Sequence, residues 1–252
     1  MSKLKKDAKI LSSLSVTLLL VLLYIIIFEF TWVSQNYIPK PSLLLESFFS
    51  LWSAYKLNAS LIETTSVIFP VLFFSVIIFE AIQPIVIKLL FKYEGIFNIA
   101  APFKYFSFFF AALIFNLVFP QSFWGKIFFA FLFTMLIQLK ILLDNKVTIK
   151  DEYILAIKSL GVSENKIYSK VIWKILQPHY YGKLHYVHLQ LWIAVLIYEF
   201  ISASIGVGAV YRTAFEFNDL SAVIALGIFI SLIIWAVNSI LKFAISKFIF
   251  WE

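Results

Sequence analysis

From Ile10 to Phe28 the chain carries no charged residue, and apolar runs of similar length recur toward the C-terminus. In hydrocarbon a backbone has no water to pair with, so a run of about 20 apolar residues is stable only as a helix that satisfies its own N–H and C=O groups. Such runs are placed at residues 10–30, 61–79, 104–119, 127–143, 186–203 and 220–241. The composition agrees. At 62% hydrophobic residues, with 29 Phe, the chain lies well above the roughly half apolar content of a soluble domain. The expected fold is an all-α integral membrane protein of about six transmembrane helices, forming one domain over residues 1–252.

Local breakers set the boundaries. Pro39 and Pro41 force an extended turn after the first run. Residues 42–56 form a short amphipathic stretch suited to a membrane interface. Pro70 inside the second run predicts a kink. Residues 82–91, which contain Pro84 and Lys88, are either a continuation of that helix or an interfacial one. Tyr93-Glu94-Gly95 marks a break, Pro120-Gln121-Ser122 closes the third run, and Gly125-Lys126 opens the fourth. The lysine-rich start before residue 10 resembles a signal peptide, but the apolar run is too long and lacks a cleavage site, so it reads as a retained span. With no cysteine, thiolate chemistry and disulfides are excluded.

The net charge of +7 follows topology rather than nucleic acid. If the N-terminus is inside, the basic residues at 3–9, 88–92, 146–183 and 242–247 all fall on the inner side. The outer side then holds only Lys40, Lys56, Lys126 and Arg212. That bias places both termini in the cytoplasm.

Residues 148–178 break the hydrocarbon pattern with a polar, lysine-bearing segment. Thr148-Ile-Lys-Asp151 matches a capping box. Tyr153, Ile154, Ile157 and Leu160 recur at helical spacing. Gly161 is expected to stop that helix in the left-handed conformation, and Ser163 to cap a second one. Along the second helix Ile167, Tyr168, Val171, Ile172 and Ile175 make an apolar stripe, Lys166, Lys170 and Lys174 another face, and Pro178 the end. A hairpin with a sticky and a wet side suits docking into a groove on a soluble protein. The competing reading is that both stripes pack on the inner ends of the spans.

Other residues have plainer readings. Glu199 near the outer end of the fifth span is either a functional intramembrane carboxylate or a headgroup-level residue, with Arg212 as candidate partner. Glu29, Glu63 and Glu80 read as end-of-helix charges. His185 and His188 share a helix face, yet with no acidic or thiol ligand beside them interfacial placement is the better account. Asn116, Gln138 and Asn238 either bond neighbouring helices or line a pathway. The Phe108–Phe110 and Phe128-Phe129 runs read as lipid-facing or packing residues. Trp32, Trp52, Trp124 and Trp251 fall where an aromatic belt would lie. The chain has no phosphate-cradling G-x-x-x-x-G-K-[ST] and calls for no cofactor or metal.

Ala156-Ile157-Lys158-Ser159-Leu160-Gly161-Val162-Ser163 resembles the EAA loop of ABC importer permeases, whose consensus runs roughly E-A-A-R-x-L-G-A-S. Ile38-Pro39-Lys40-Pro41-Ser42 is similar to the L-P-x-P-S element of the nitrate/sulfonate/taurine group. The segment from Glu199 to Gly208 resembles that group's E-M-I-x-A-x-x-G-L-G, and Asp219 falls where an acidic residue precedes the last span. Leu155 stands in place of the family's loop glutamate, and Lys174 in place of its first loop proline. The resemblance implies a non-enzymatic permease subunit of a bacterial ABC importer in the cytoplasmic membrane, with residues 148–178 as its cytoplasmic ATPase-coupling loop between spans four and five. Ala156, Lys158, Leu160, Gly161, Ser163, Ile167, Val171 and Pro178 would couple to the ATPase, and Glu199, Gly206, Gly208 and Arg212 are pathway or gate candidates. The implied partners are ABC ATPase subunits, a second permease chain, a periplasmic or lipid-anchored substrate-binding protein and the lipid bilayer. The alternative is a non-transporting permease-like scaffold or regulatory subunit.

Overall fold

The computed structural model describes residues 2–30, 38–92, 108–146, 149 and 151–248. Their elements are α1 (Ser2–Phe30), α2 (Pro41–Ser53), α3 (Leu57–Lys92), α4 (Phe108–Val118), α5 (Phe123–Lys146), α6 (Asp151–Ser159), α7 (Glu164–Lys166), a π turn (Ile167–Ile172), α8 (Trp173–Gly182), α9 (Leu184–Ser202), α10 (Val207–Glu216) and α11 (Leu220–Phe248). No strand occurs among the described residues. Among the described residues four helices are long and apolar enough to cross a membrane: α3, α5, α9 and α11. Of the first and third expected spans, the residues whose side chains are described cover the apolar stretches Ser15–Phe30 and Phe109–Val118. Residues 104–107 of the third, the break at 93–95, Thr148 and Lys150 of the capping box, Trp32 and Trp251 lie outside the described residues.

The chain divides into two compact units. The first comprises residues 1–57 and 213–230. Pro41 occupies the first turn of α2, where its missing N–H costs nothing. The Tyr24 hydroxyl donates to the Pro39 carbonyl at 2.6 Å, and the Ser42 amide donates to Glu29 Oε2 at 3.1 Å. Phe48 and Trp52 on α2 meet Phe229 edge-on, with centroids 5.7 and 5.4 Å apart. Asp219 caps α11 by accepting the Ala222 amide at Oδ1 (3.0 Å), while its Oδ2 accepts the Tyr55 hydroxyl at 2.8 Å. Burial, and then the bond to Asp219, push the Tyr55 hydroxyl from 10.0 up to about 12. A phenol whose folded pKa is raised contributes stability while it stays protonated. That contribution is present below pH 10 and is lost as pH rises through about 12. Alkaline titration of unfolding should show this loss, and Tyr55→Phe should remove it.

The second unit comprises residues 58–212 and 231–252. Here α3 runs unbroken through Pro70 and Pro84, so residues 82–91 continue the helix. Prolines are tolerated within membrane helices because neighbours and local adjustments re-satisfy the freed backbone groups. Ala112 of α4 and Ala194 of α9 are fully buried with Phe129 and Tyr198; small side chains of this kind let helices approach closely. The Gln138 amide donates to Ser75 Oγ at 3.0 Å, tying α5 to α3. A larger cluster joins Ile87 and Leu90 at the end of α3, Ile141 and Leu142 at the end of α5, and Ile167, Ile172, Trp173, Leu176 and Tyr180 of the hairpin. Phe79 stacks on Tyr180 at 5.1 Å.

Candidate functional site

Three helices bring charge together in the second unit. Glu63 and Thr64 lie near the start of α3, Lys126 in the first turn of α5 and Glu199 in the last turn of α9. The α5 start is set locally, because Ser122 Oγ accepts the Gly125 amide at 3.2 Å. The Lys126 ammonium then donates to Glu199 Oε1 at 3.0 Å, Glu63 Oε1 at 3.1 Å and the Ile205 carbonyl at 3.0 Å. An ammonium has three protons, so every donor is used. Glu199 also accepts the Thr64 hydroxyl (2.9 Å to Oε2) and the Gly208 amide (3.0 Å). Thr64 Oγ1 in turn accepts the Val207 amide at 2.9 Å.

This knot is sealed. The side chains of Lys126 and Glu199 are 1% and 0% exposed, while Glu63 retains 29%. Paired carboxylates would repel, and the interposed lysine removes that cost. The backbone between α9 and α10 is shaped to fit. Ala203 ends α9 in the left-handed conformation (φ 51°), and Gly206 has φ 150°. A Cβ at Gly206 would fall on the Glu199 carboxylate, and one at Gly208 on the Leu196 carbonyl oxygen. Both glycines are thus places where backbone meets a buried charge. The arrangement holds α3, α5, α9 and the start of α10 in one register. It contains no nucleophile or acid–base pair open to a substrate.

Several expectations change here. Glu199 is a fully buried carboxylate rather than a headgroup-level one, and its ion partner is Lys126, not Arg212. Arg212 donates through Nη1 to the Ile201 carbonyl at 3.3 Å. Lys126 is not an exposed loop residue, and Glu63 is part of the knot rather than a solvated helix-end charge. Sequence reading passed over Lys126 and Thr64. The available signal was a lysine set among Phe123, Trp124, Phe128 and Phe129, which needs a counter-charge if it is to be buried. Glu80 likewise accepts the Tyr181 hydroxyl within the fold.

At the hairpin, Gly161 adopts φ 74° as expected and donates its amide to the Lys158 carbonyl at 3.0 Å. Ser163 precedes α7 in the extended conformation, but its hydroxyl makes no capping bond; its carbonyl accepts the Lys166 and Ile167 amides instead. Lys158 reaches Glu164 across the turn at 3.2 Å. Pro178 does not end the second helix, which continues to Gly182. The π turn changes which residues are buried. Ile167, Tyr168, Ile172, Trp173, Leu176 and Tyr180 face the core, and Ile175 is 41% exposed. Ile167 is therefore held inside this chain's own fold, and Val171 is half-buried. Ala156, Lys158, Leu160, Gly161 and Ser163 are exposed, as are Lys166, Lys170 and Lys174. Tyr153, Leu155 and Leu160 form the apolar exposed tip at 59%, 65% and 79%.

His188 is buried and saturated. Trp192 Nε1 donates to its Nε2 at 2.9 Å, which puts the ring proton on Nδ1, 2.8 Å from Asn238 Oδ1. Among the described residues no three His, Cys, Asp or Glu side chains gather as metal ligands would. Gln138 and Asn238 bond neighbouring side chains, whereas Asn116 Oδ1 is buried without a partner. Phe109, Phe110 and Phe128 are exposed and Phe129 is buried, while Trp124 is exposed and Trp52 packs on Phe229. No protein-family model, curated protein or solved structure matches this chain.

Proposed function

We propose that the chain is the transmembrane permease subunit of an ABC-type importer, working with a separate ATPase that engages the hairpin of residues 151–182. The observation that carries this reading is the hairpin itself. An EAA-like sequence turns through a left-handed Gly161, packs its inner face on the ends of α3 and α5, and leaves Leu155 and Leu160 bare at the tip. Lys88 Nζ also donates to Asn165 Oδ1 at 3.0 Å. A hairpin held this way transmits displacement to the spans, whereas an untethered loop would absorb it. In this reading the Lys126 knot is a latch at the other end of the same helices. Its charges are either sealed against one another or hydrated, a two-state element of the kind a partner can bias. Six spans, cytoplasmic termini, a second permease chain and a delivering binding protein belong to the same proposal.

The test separates tip from core. In membranes holding this chain and its candidate ATPase, Leu160→Glu should abolish co-purification of the ATPase while leaving the helical content unchanged. Ile167→Asp buries a charge and should instead reduce folded yield. ATPase captured equally by Leu160→Glu and the parent chain would overturn the docking assignment. Hydrolysis that docking stimulates but cargo does not would favour the scaffold reading.

A further inference from the structure

A cleft of about 310 Å³ opens between α9 and α11, lined by Leu189, Ser231, Trp235, Asn238, Ser239 and Lys242 among others. Leu189 lies in the second turn of α9, the end that follows the hairpin. Its polar lining includes two donors, the Asn238 amide and the Lys242 ammonium. Asn238 Oδ1 is taken by His188, whose tautomer is fixed by Trp192, so the Asn238 NH₂ group is left to the cleft. Ser239 uses its proton on the Trp235 carbonyl. Lys242 is exposed and has no ion-pair partner among the described residues. No carboxylate lines the cleft, and Trp235 stands 69% exposed beside it.

Ser231 and Lys242 are separated by about 16 Å along the helix at 1.5 Å per residue. A cleft that follows this much of the helix, with an unpaired cation toward one end and Leu189, Ile234 and Trp235 among its lining, matches an elongated anionic amphiphile better than a small ion. Basic pockets between membrane helices recognise lipid phosphates in this way. We propose that this cleft binds an anionic membrane phospholipid, with its phosphate on Lys242 and Asn238 and its acyl chain along Leu189 and Trp235. The proposal does not depend on the transport reading.

The test uses the full chain in neutral detergent, with brominated phosphatidylglycerol and brominated phosphatidylcholine as quenchers. The signal is the quenching that disappears in Trp235→Phe. Phosphatidylglycerol should bind about five-fold more tightly, the equivalent of about 1 kcal/mol for one basic residue near anionic lipid. Lys242→Gln should bring that preference to about one-fold with an unchanged helical spectrum. Equal binding of both lipids, a preference that survives Lys242→Gln, or Trp235 left unquenched because a second copy covers it would each overturn the proposal. Displacement of the lipid by millimolar inorganic phosphate would make this a soluble-anion site and overturn the lipid assignment.

Discussion

Replacing Lys126 by Met is expected to destabilise the protein by about 3–5 kcal/mol, the usual cost of removing one partner of a buried ion pair. The reason lies in what stays behind. Glu199 is 0% exposed and would keep only Thr64 and Gly208 as donors. The Ile205 carbonyl would also lose its donor. Glu63→Gln should cost much less, because that carboxylate is 29% exposed and water can replace part of the lost contact. The double variant Lys126→Met with Glu199→Gln should recover much of the loss, since no uncompensated charge remains buried. Unfolding by denaturing detergent, followed by helical signal, measures all four proteins. A Lys126→Met variant as stable as the parent would show that the knot is not what holds α3, α5 and α9 together.

Gly208→Ala should cost about 2–3 kcal/mol, at the upper part of the range for overpacking. A methyl group there meets the Leu196 carbonyl oxygen, the Glu199 Cβ and the Phe200 amide nitrogen. Two of these are backbone atoms of α9, so no side-chain rotation relieves the clash. Gly182→Ala is the control. Nothing lies within 4 Å of its added Cβ, and at this last residue of α8 alanine should gain at most about 0.5–1 kcal/mol, the value for a helix-interior site. Gly161→Ala falls between, for a different reason. Its surroundings are open, but φ is 74°, and the left-handed conformation costs an L-residue about 1–2 kcal/mol. The order Gly208, Gly161, Gly182 from most to least damaging is the expected result of the same unfolding titration. Equal effects at Gly208 and Gly182 would contradict the close packing of α10 on α9.

Much of this architecture could be read locally. The long apolar runs became α3, α5, α9 and α11, because hydropathy over about 20 residues reports on one helix at a time. Gly161 and Pro41 took the positions that their backbone preferences dictate, since φ is a property of a single residue. The hairpin's second helix was only half legible. A regular 3.6-residue period predicts Ile175 on the buried stripe, but the π turn at Ile167–Ile172 inserts an extra residue and passes the core face to Trp173, Leu176 and Tyr180. Nothing in an apolar sequence marks where a helix widens, because the choice depends on the surface it packs against.

The charged knot belongs to another level. Thr64, Lys126 and Glu199 are separated by long stretches of chain and meet only because α3 and α5 run one way and α9 returns. Arg212, near in sequence, was the natural partner to nominate, and proximity along the chain misled. Turn chemistry and hydropathy act within a few residues, so the order of amino acids was enough to mark helices, turns and runs apolar enough to cross a membrane. A buried charge takes whichever opposite charge the packing of distant helices delivers, and only the assembled fold supplied Lys126.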